Sequence, residues 1–272
     1  MGKTPLAETL FWLTVALCIL IVTASIGGIL FEDELYALET PIYVAQIVGT
    51  DMADLFAIVP ILLTSAFLMR NNSKKAYFVW SGTMMYMLYI SISYCFAIHF
   101  NHLFLVYCGI FGLSFYLLIM PLVTLDAEQV KNWFSKDTKT TAVIIYLVAV
   151  AGLMSVLWLS DAIPASITGI LPESATESGL ITAPFDVLDL GLMFPGFFIS
   201  AFLLYTKRAL GYLLAPSFLT CLLVMGLALV AMVILMALRG FGLEVDSLAI
   251  FGTLAIISGL ILVRFLRYCT GE

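Results

Sequence analysis

Apolar residues run along this chain in eight long stretches separated by short polar breaks. A helix that crosses a bilayer needs about 20 consecutive, largely apolar residues. The stretches fall near Glu8–Leu30, Thr50–Met69, Ala76–Ile98, Leu103–Leu125, Thr140–Leu159, Asp186–Tyr205, Leu213–Leu238 and Ser247–Leu266, and they predict an all-α integral membrane protein of eight transmembrane helices. The first exceeds the apolar core of a signal peptide, and Ala24-Ser25-Ile26-Gly27-Gly28 leads straight back into apolar sequence, so it reads as a retained helix.

Composition agrees. Of 272 residues, 62% are hydrophobic and 11% charged, which excludes a soluble globular domain and makes the lipid bilayer the main partner. Orientation follows from the basic residues. Lys3, Arg70, Lys74, Lys75, Lys131, Lys136, Lys139, Lys207, Arg208, Arg264 and Arg267 fall on one side of an eight-span chain, and only Arg239 on the other. This distribution predicts both termini in the cytoplasm and a multi-pass protein of the plasma membrane, with Glu32-Asp33-Glu34 and Glu173 to Glu177 outside. No basic patch suits nucleic acid. The five cysteines lie in or beside apolar segments, with neither zinc-site nor disulfide-framework spacing, although Cys95 and Cys108 fall near the same outer surface.

Two stretches repeat each other. Asp51-Met-Ala-Asp54-Leu55, Pro60 and Ser65-Ala66-Phe67-Leu68 recur as Asp186-Val-Leu-Asp189-Leu190, Pro195 and Ser200-Ala201-Phe202-Leu203, always 135 positions apart (51 and 186, 60 and 195, 68 and 203). Aspartate, proline and serine are uncommon in lipid-spanning segments, so their register carries more weight than the apolar matches. Tyr77 and Tyr212 share the offset, and Ile110-Phe111-Gly112 resembles Ile250-Phe251-Gly252 after a five-residue shift. The expectation is one membrane domain, 1–272, made of two parallel four-helix repeats, 1–130 and 136–272. Four spans per half is even, so the halves would be related by a pseudo-two-fold axis along the membrane normal.

The four aspartates are the leading candidate site. An aspartate at the centre of a spanning helix costs roughly 3 kcal/mol to insert. Counted back from Arg70 and Lys207, all four lie near the outer edge of the hydrocarbon. Asp51 and Asp186 are expected at helix N-termini, where a carboxylate caps free N–H groups. Asp54 and Asp189 lie one turn further on the same face, so like charges crowd and call for a cation, a proton or a donor. Pro60 and Pro195 free the carbonyls of Phe56 and Gly191. Such oxygen sets suit hard cations, a divalent ion among them, and Asp51, Asp189, His99 and His102 form the candidate metal set. Tyr86, Tyr89 and Ser93 recur at helical spacing and predict a polar cavity wall, Asn101 joins the candidate binding residues, and Tyr94 reads as an aromatic-belt residue.

Val44-Ala45-Gln46 with Gly49-Thr-Asp51, the tract from Trp80 through Tyr86 to Phe100-Asn101-His-Leu-Phe104, Val187-Leu188-Asp189-Leu190 with Pro195, and Leu210-Gly211-Tyr212-Leu-Leu-Ala-Pro216 together resemble a broad family of uncharacterised prokaryotic multi-pass membrane proteins. The resemblance implies no activity. In that pattern a histidine often stands at the position of Asp186 and a threonine at that of Asp54, which leaves Asp51 and Asp189 as the stronger ligands.

Three function classes fit. An outward-facing acidic site between pseudo-symmetric halves points first to cation or proton-coupled transport or permeation. A membrane-embedded metal-dependent enzyme acting on lipid is the second, and a non-catalytic sensor or structural component the third. A retinal protein is disfavoured because Lys207 lies at a helix end beside Arg208 and no other lysine is intramembrane. Gly109, Gly112, Gly226, Gly252 and Gly259 permit close packing within the chain or in a homo-oligomer.

Overall fold

A computed structural model describes residues 5–270, so Lys3 lies outside the described residues. The order is α1 (Pro5–Leu30), α2 (Glu32–Leu35), α3 (Pro41–Ala53), α4 (Val59–Arg70), α5 (Lys74–Phe96), α6 (Phe104–Thr124), α7 (Ala127–Lys131), α8 (Thr141–Thr168), α9 (Glu173–Glu177), α10 (Pro184–Leu188), α11 (Phe194–Tyr205), α12 (Ala209–Leu238) and α13 (Val245–Leu266). No strand occurs among the described residues. Two helices are continuous through a π-helical turn: α3 passes through Asp54–Ile58 into α4, and α10 passes through Asp189–Met193 into α11.

Seven of these helices are long and apolar enough to cross a membrane, so the protein is a polytopic helical membrane protein. The remaining expected span, Ala76–Ile98, forms α5, whose 23 residues reach across a bilayer but are too polar to count by apolarity. The cause is position. Fourteen residues of α5 are buried against other helices, so it needs little lipid-compatible surface. Its hydroxyls are absorbed locally, with Thr83 donating to the Val79 carbonyl (2.7 Å), Ser91 to Leu88 (2.9 Å) and Ser93 to Ile90 (2.7 Å).

Helix starts follow local chemistry. Thr40 caps α3 by accepting from Tyr43 N–H (3.4 Å), and Pro41 occupies the first turn, where its missing N–H costs nothing. The second span therefore begins about ten residues before the expected Thr50. At the other extreme α8 runs past Leu159 to Thr168 and stops at Gly169, whose φ of +70° suits glycine.

Helix contacts form two rings. In one, α1 packs on α3–α4 and on α6, and α5 closes the ring between α4 and α6; in the other, α8 packs on α11 and α13, and α12 closes the ring between α11 and α13. The rings meet where α12 packs on α3 and α5. At the α5–α12 crossing the Ser81 and Ser217 hydroxyls hydrogen-bond (2.7 Å), and a Cβ on Gly82 would meet the Ser217 carbonyl oxygen and lie 3.0 Å from Cys221 N. Gly82 and Ser217 are themselves 135 positions apart, as are the two π-helical turns. Gly226 and Gly259 pack within the chain, against Ala255 and Leu223, whereas Gly112 and Gly252 face open space.

The segment joining the rings is a wedge rather than a loose linker. Val130, Trp133 and Phe134 are buried, with Trp133 edge-on to Tyr77 (5.9 Å, 86°) and Phe134 against Tyr212 (5.5 Å) and Phe265 (5.1 Å). The wedge also holds the chain end: Ser135 N–H donates to Tyr268 O (2.9 Å) and Thr270 N–H to Trp133 O (2.7 Å). Burial raises the Cys269 thiol pKa here, against the lowering influence of Lys74 and Lys75. The described cysteines are all free, and the Cys95 and Cys108 thiols do approach each other. Arg239, the basic residue out of pattern, is paired with Glu32 (2.6 Å). Its company is therefore an acidic one, and as a half-exposed surface pair it contributes little to stability.

Candidate functional site

Asp51 is not a capping residue. It lies ten positions beyond Pro41, inside a 30-residue helix, and is 1% exposed. Its partners come from three other elements. Tyr94 of α5 donates to Oδ1 (2.9 Å), Tyr36 just after α2 donates to Oδ2 (3.2 Å), and Ser25 of α1 lies close to the carboxyl. Tyr36 is itself buried, which together with the Asp51 charge pushes its hydroxyl pKa far up and keeps it a donor. The helix backbones approach closely enough to allow this only because residue 28 is glycine: a Cβ there would meet Asp51 Oδ2 and lie 2.6 Å from the Tyr36 hydroxyl. Gly28→Ala is expected to lower stability by about 1–3 kcal/mol, read as a fall in the melting temperature of the detergent-purified protein.

Asp54, 4% exposed, begins the first π-helical turn and receives the Tyr86 hydroxyl at Oδ1 (2.9 Å). The π register has a local cause. Pro60 and Pro195 lack an N–H and crowd the preceding turn, and in each helix the residue before proline bonds five positions back, Val59 N–H to Asp54 O and Phe194 N–H to Asp189 O. Phe56 and Gly191, whose carbonyls were expected to join the carboxylates, are residues of the exposed faces of their helices.

In the second ring Asp189, 8% exposed, faces Tyr89 of α5, and the buried Trp158 indole of α8 lies close to it without completing a hydrogen bond. Asp186 stands near the start of α10 but caps nothing, being half-buried with Asp161 of α8 in electrostatic range. Asp186 and Asp189 line a cavity of about 340 Å³ bounded by α3, α5, α8, α10–α11, α12 and α13. Most of its wall is apolar or aromatic. Ser174, Ala175 and Ser178, in and after α9, cover part of it. The four aspartates therefore do not share one site: Asp51 and Asp54 lie in the first ring, separated from the cavity by the Tyr86 and Tyr94 side chains that line it.

Other candidates fall elsewhere. His99 accepts no role near the aspartates: its Nδ1 is 2.9 Å from Glu39 and its N–H donates to the same carboxylate (2.7 Å). His102 is exposed, 3.8 Å from Glu34. The candidate metal set Asp51, Asp189, His99 and His102 is thus not assembled, and no group of three or more His, Cys, Asp or Glu among the described residues is arranged to hold a metal. The histidines occupy the surface turn after α5, whereas the carboxylates point into two separate rings. Asn101 fastens that turn, donating to Leu35 O (3.3 Å) and accepting from Leu103 N–H (2.9 Å). Tyr94, read as a belt residue, is instead an Asp51 donor. Tyr36, Ser25 and Trp158 carried no recognisable motif. Gly28 beside Ser25 in an apolar helix was the one local sign of a close approach.

Comparison with protein family models, curated proteins and solved structures finds no match.

Proposed function

We propose that this protein is a plasma-membrane carrier for amphipathic organic cations, built of eight spans with both termini cytoplasmic and two pseudo-symmetric halves enclosing the substrate cavity. The observation that carries this reading is the 340 Å³ cavity between the rings, whose volume suits a drug-sized ligand. Asp186 and Asp189 are the only Asp, Glu, Lys, Arg or His among its lining residues. Tyr89 and Phe185 (6.3 Å between rings) and Trp158 and Phe194 (6.0 Å, edge-on) supply aromatic surface beside them. An acid set in an aromatic, apolar wall suits an ammonium or phosphonium group on a hydrophobic body. The 135-residue repeat, the matching rings and the Gly82–Ser217 crossing support a rocking of one half against the other. The resemblance to prokaryotic multi-pass membrane proteins fits the same architecture.

The test is uptake of tetraphenylphosphonium by proteoliposomes. Asp189→Asn is expected to reduce uptake at least about 10-fold, because a desolvated cation would lose its nearby counter-charge. Wild-type liposomes that fail to take up the probe, or an Asn variant as active as wild type, would overturn the reading.

A further inference from the structure

A second cavity lies wholly within the first ring. It measures about 20 Å³, room for one particle of water size, and its polar wall is Ser25, Asp51, Asp54, Ser91, Tyr94 and Tyr107. No Lys, Arg or His lines it. Tyr36, Tyr86 and Tyr94 donate hydrogen bonds to the two carboxylates, yet none brings positive charge. Asp51 lies within electrostatic range of Asp54. Two such groups enclosed together need a proton or a cation. An independent observation concerns Tyr107: its side chain lines the cavity, the residue is 2% exposed, and its hydroxyl, with Tyr36 and Asn101 nearby, completes no hydrogen bond among the described residues. A buried hydroxyl is seldom left so unless something absent from the protein's own atoms meets it.

We propose that this cavity binds one Na⁺ ion, held by the Asp51 and Asp54 carboxylates and the hydroxyl oxygens of Ser25, Ser91 and Tyr107. Hard oxygen ligands and the size of one water favour it. Mg²⁺ would have to keep waters for which there is no room, and Ca²⁺ takes six to eight oxygens, whereas three of the four carboxylate oxygens here already accept phenol hydrogen bonds. Ser91 spends its proton on the Leu88 carbonyl (2.9 Å), which leaves its oxygen lone pairs for an ion. The second half cannot build the same site. At the 135-residue offset, Ser91 and Tyr94 are answered by Gly226 and Leu229, which bring no side-chain oxygen. The proposal does not rest on transport. In a carrier, the ion would be the coupling ion, separate from the substrate cavity.

The test is the melting temperature of the detergent-purified full chain in NaCl, KCl and choline chloride at equal ionic strength. The expected result is a rise of several degrees with NaCl, saturating in the millimolar range, and little with choline. Asp54→Asn, checked for folding by size-exclusion chromatography, is expected to lose the Na⁺-dependent rise, and Asp189→Asn to keep it. Tyr107→Phe and Ser91→Ala retain both charges, and each is expected to need about 10-fold more NaCl for the same rise. Equal melting in NaCl and choline chloride, or an unchanged Na⁺ response in Asp54→Asn, would mean protons neutralise the pair around a water. If Asp54→Asn does not fold, unchanged responses in both Tyr107→Phe and Ser91→Ala overturn the proposal. Failure here leaves the Asp189→Asn uptake result standing, and the reverse.

Discussion

Gly82→Ala is expected to destabilise the protein by about 3 kcal/mol or more, the upper end for overpacking, because the added methyl meets backbone rather than a movable side-chain tip. At the α5–α12 crossing the methyl would run into the Ser217 carbonyl oxygen and crowd Cys221 N at 3.0 Å. Neither atom can rotate away. The helices would have to part, which breaks the Ser81–Ser217 hydrogen bond (2.7 Å) and loosens the contact that joins the two rings. In lipid, helix association depends on such close van der Waals approach more than on hydrophobic burial, so the loss is not made up elsewhere. The measurement is thermal denaturation in detergent, with a melting temperature lower by about 6–12 °C. A fall of less than 2 °C, with a monodisperse elution peak, would mean the crossing is not the joint between the rings.

Trp133→Ala tests the other joint. Trp133 is 7% exposed, lies edge-on to Tyr77 (5.9 Å) and Phe78 (5.9 Å), and carries the Lys74 ammonium 5.8 Å above its ring. Removing a buried indole typically costs about 3–5 kcal/mol through lost contact and an unfilled cavity. The loss should be local as well as global. Phe134, Ser135 and Thr270 are tied to the same strand-like contact, so the variant is expected to expose the chain end at residues 268–270 to protease or hydrogen exchange before the helices unfold. Trp133→Phe, which refills most of the space, should recover most of the stability. Equal protection of the chain end in Trp133→Ala and wild type would show that the wedge does not hold it.

Much of the architecture follows from properties that a single segment carries by itself. Apolar length fixes where a helix can cross lipid, and seven of the eight expected stretches became helices long and apolar enough to do so. The eighth formed α5, 23 residues long, less apolar than the others and largely buried by its neighbours. The 135-residue register is a property of the sequence, where aspartates and prolines stand out among apolar residues, and a π-helical turn begins at Asp54 and at Asp189.

What no segment carries is the identity of its partners. Four aspartates with matching sequence positions became two different environments, because Asp51 and Asp54 face phenols and a serine from α1, α2's end and α5, while Asp186 and Asp189 open onto the inter-ring cavity. Hydropathy and spacing alone could not separate these fates. Tyr36 is fifteen residues from Asp51 and Tyr94 forty-three, and their hydroxyls reach one carboxylate only once the helices have packed. The local chemistry of the chain determined a polytopic helical protein with paired acidic positions. Tertiary packing decided which acids are enclosed and which face a cavity, because an aspartate's surroundings are built from residues distant in the chain.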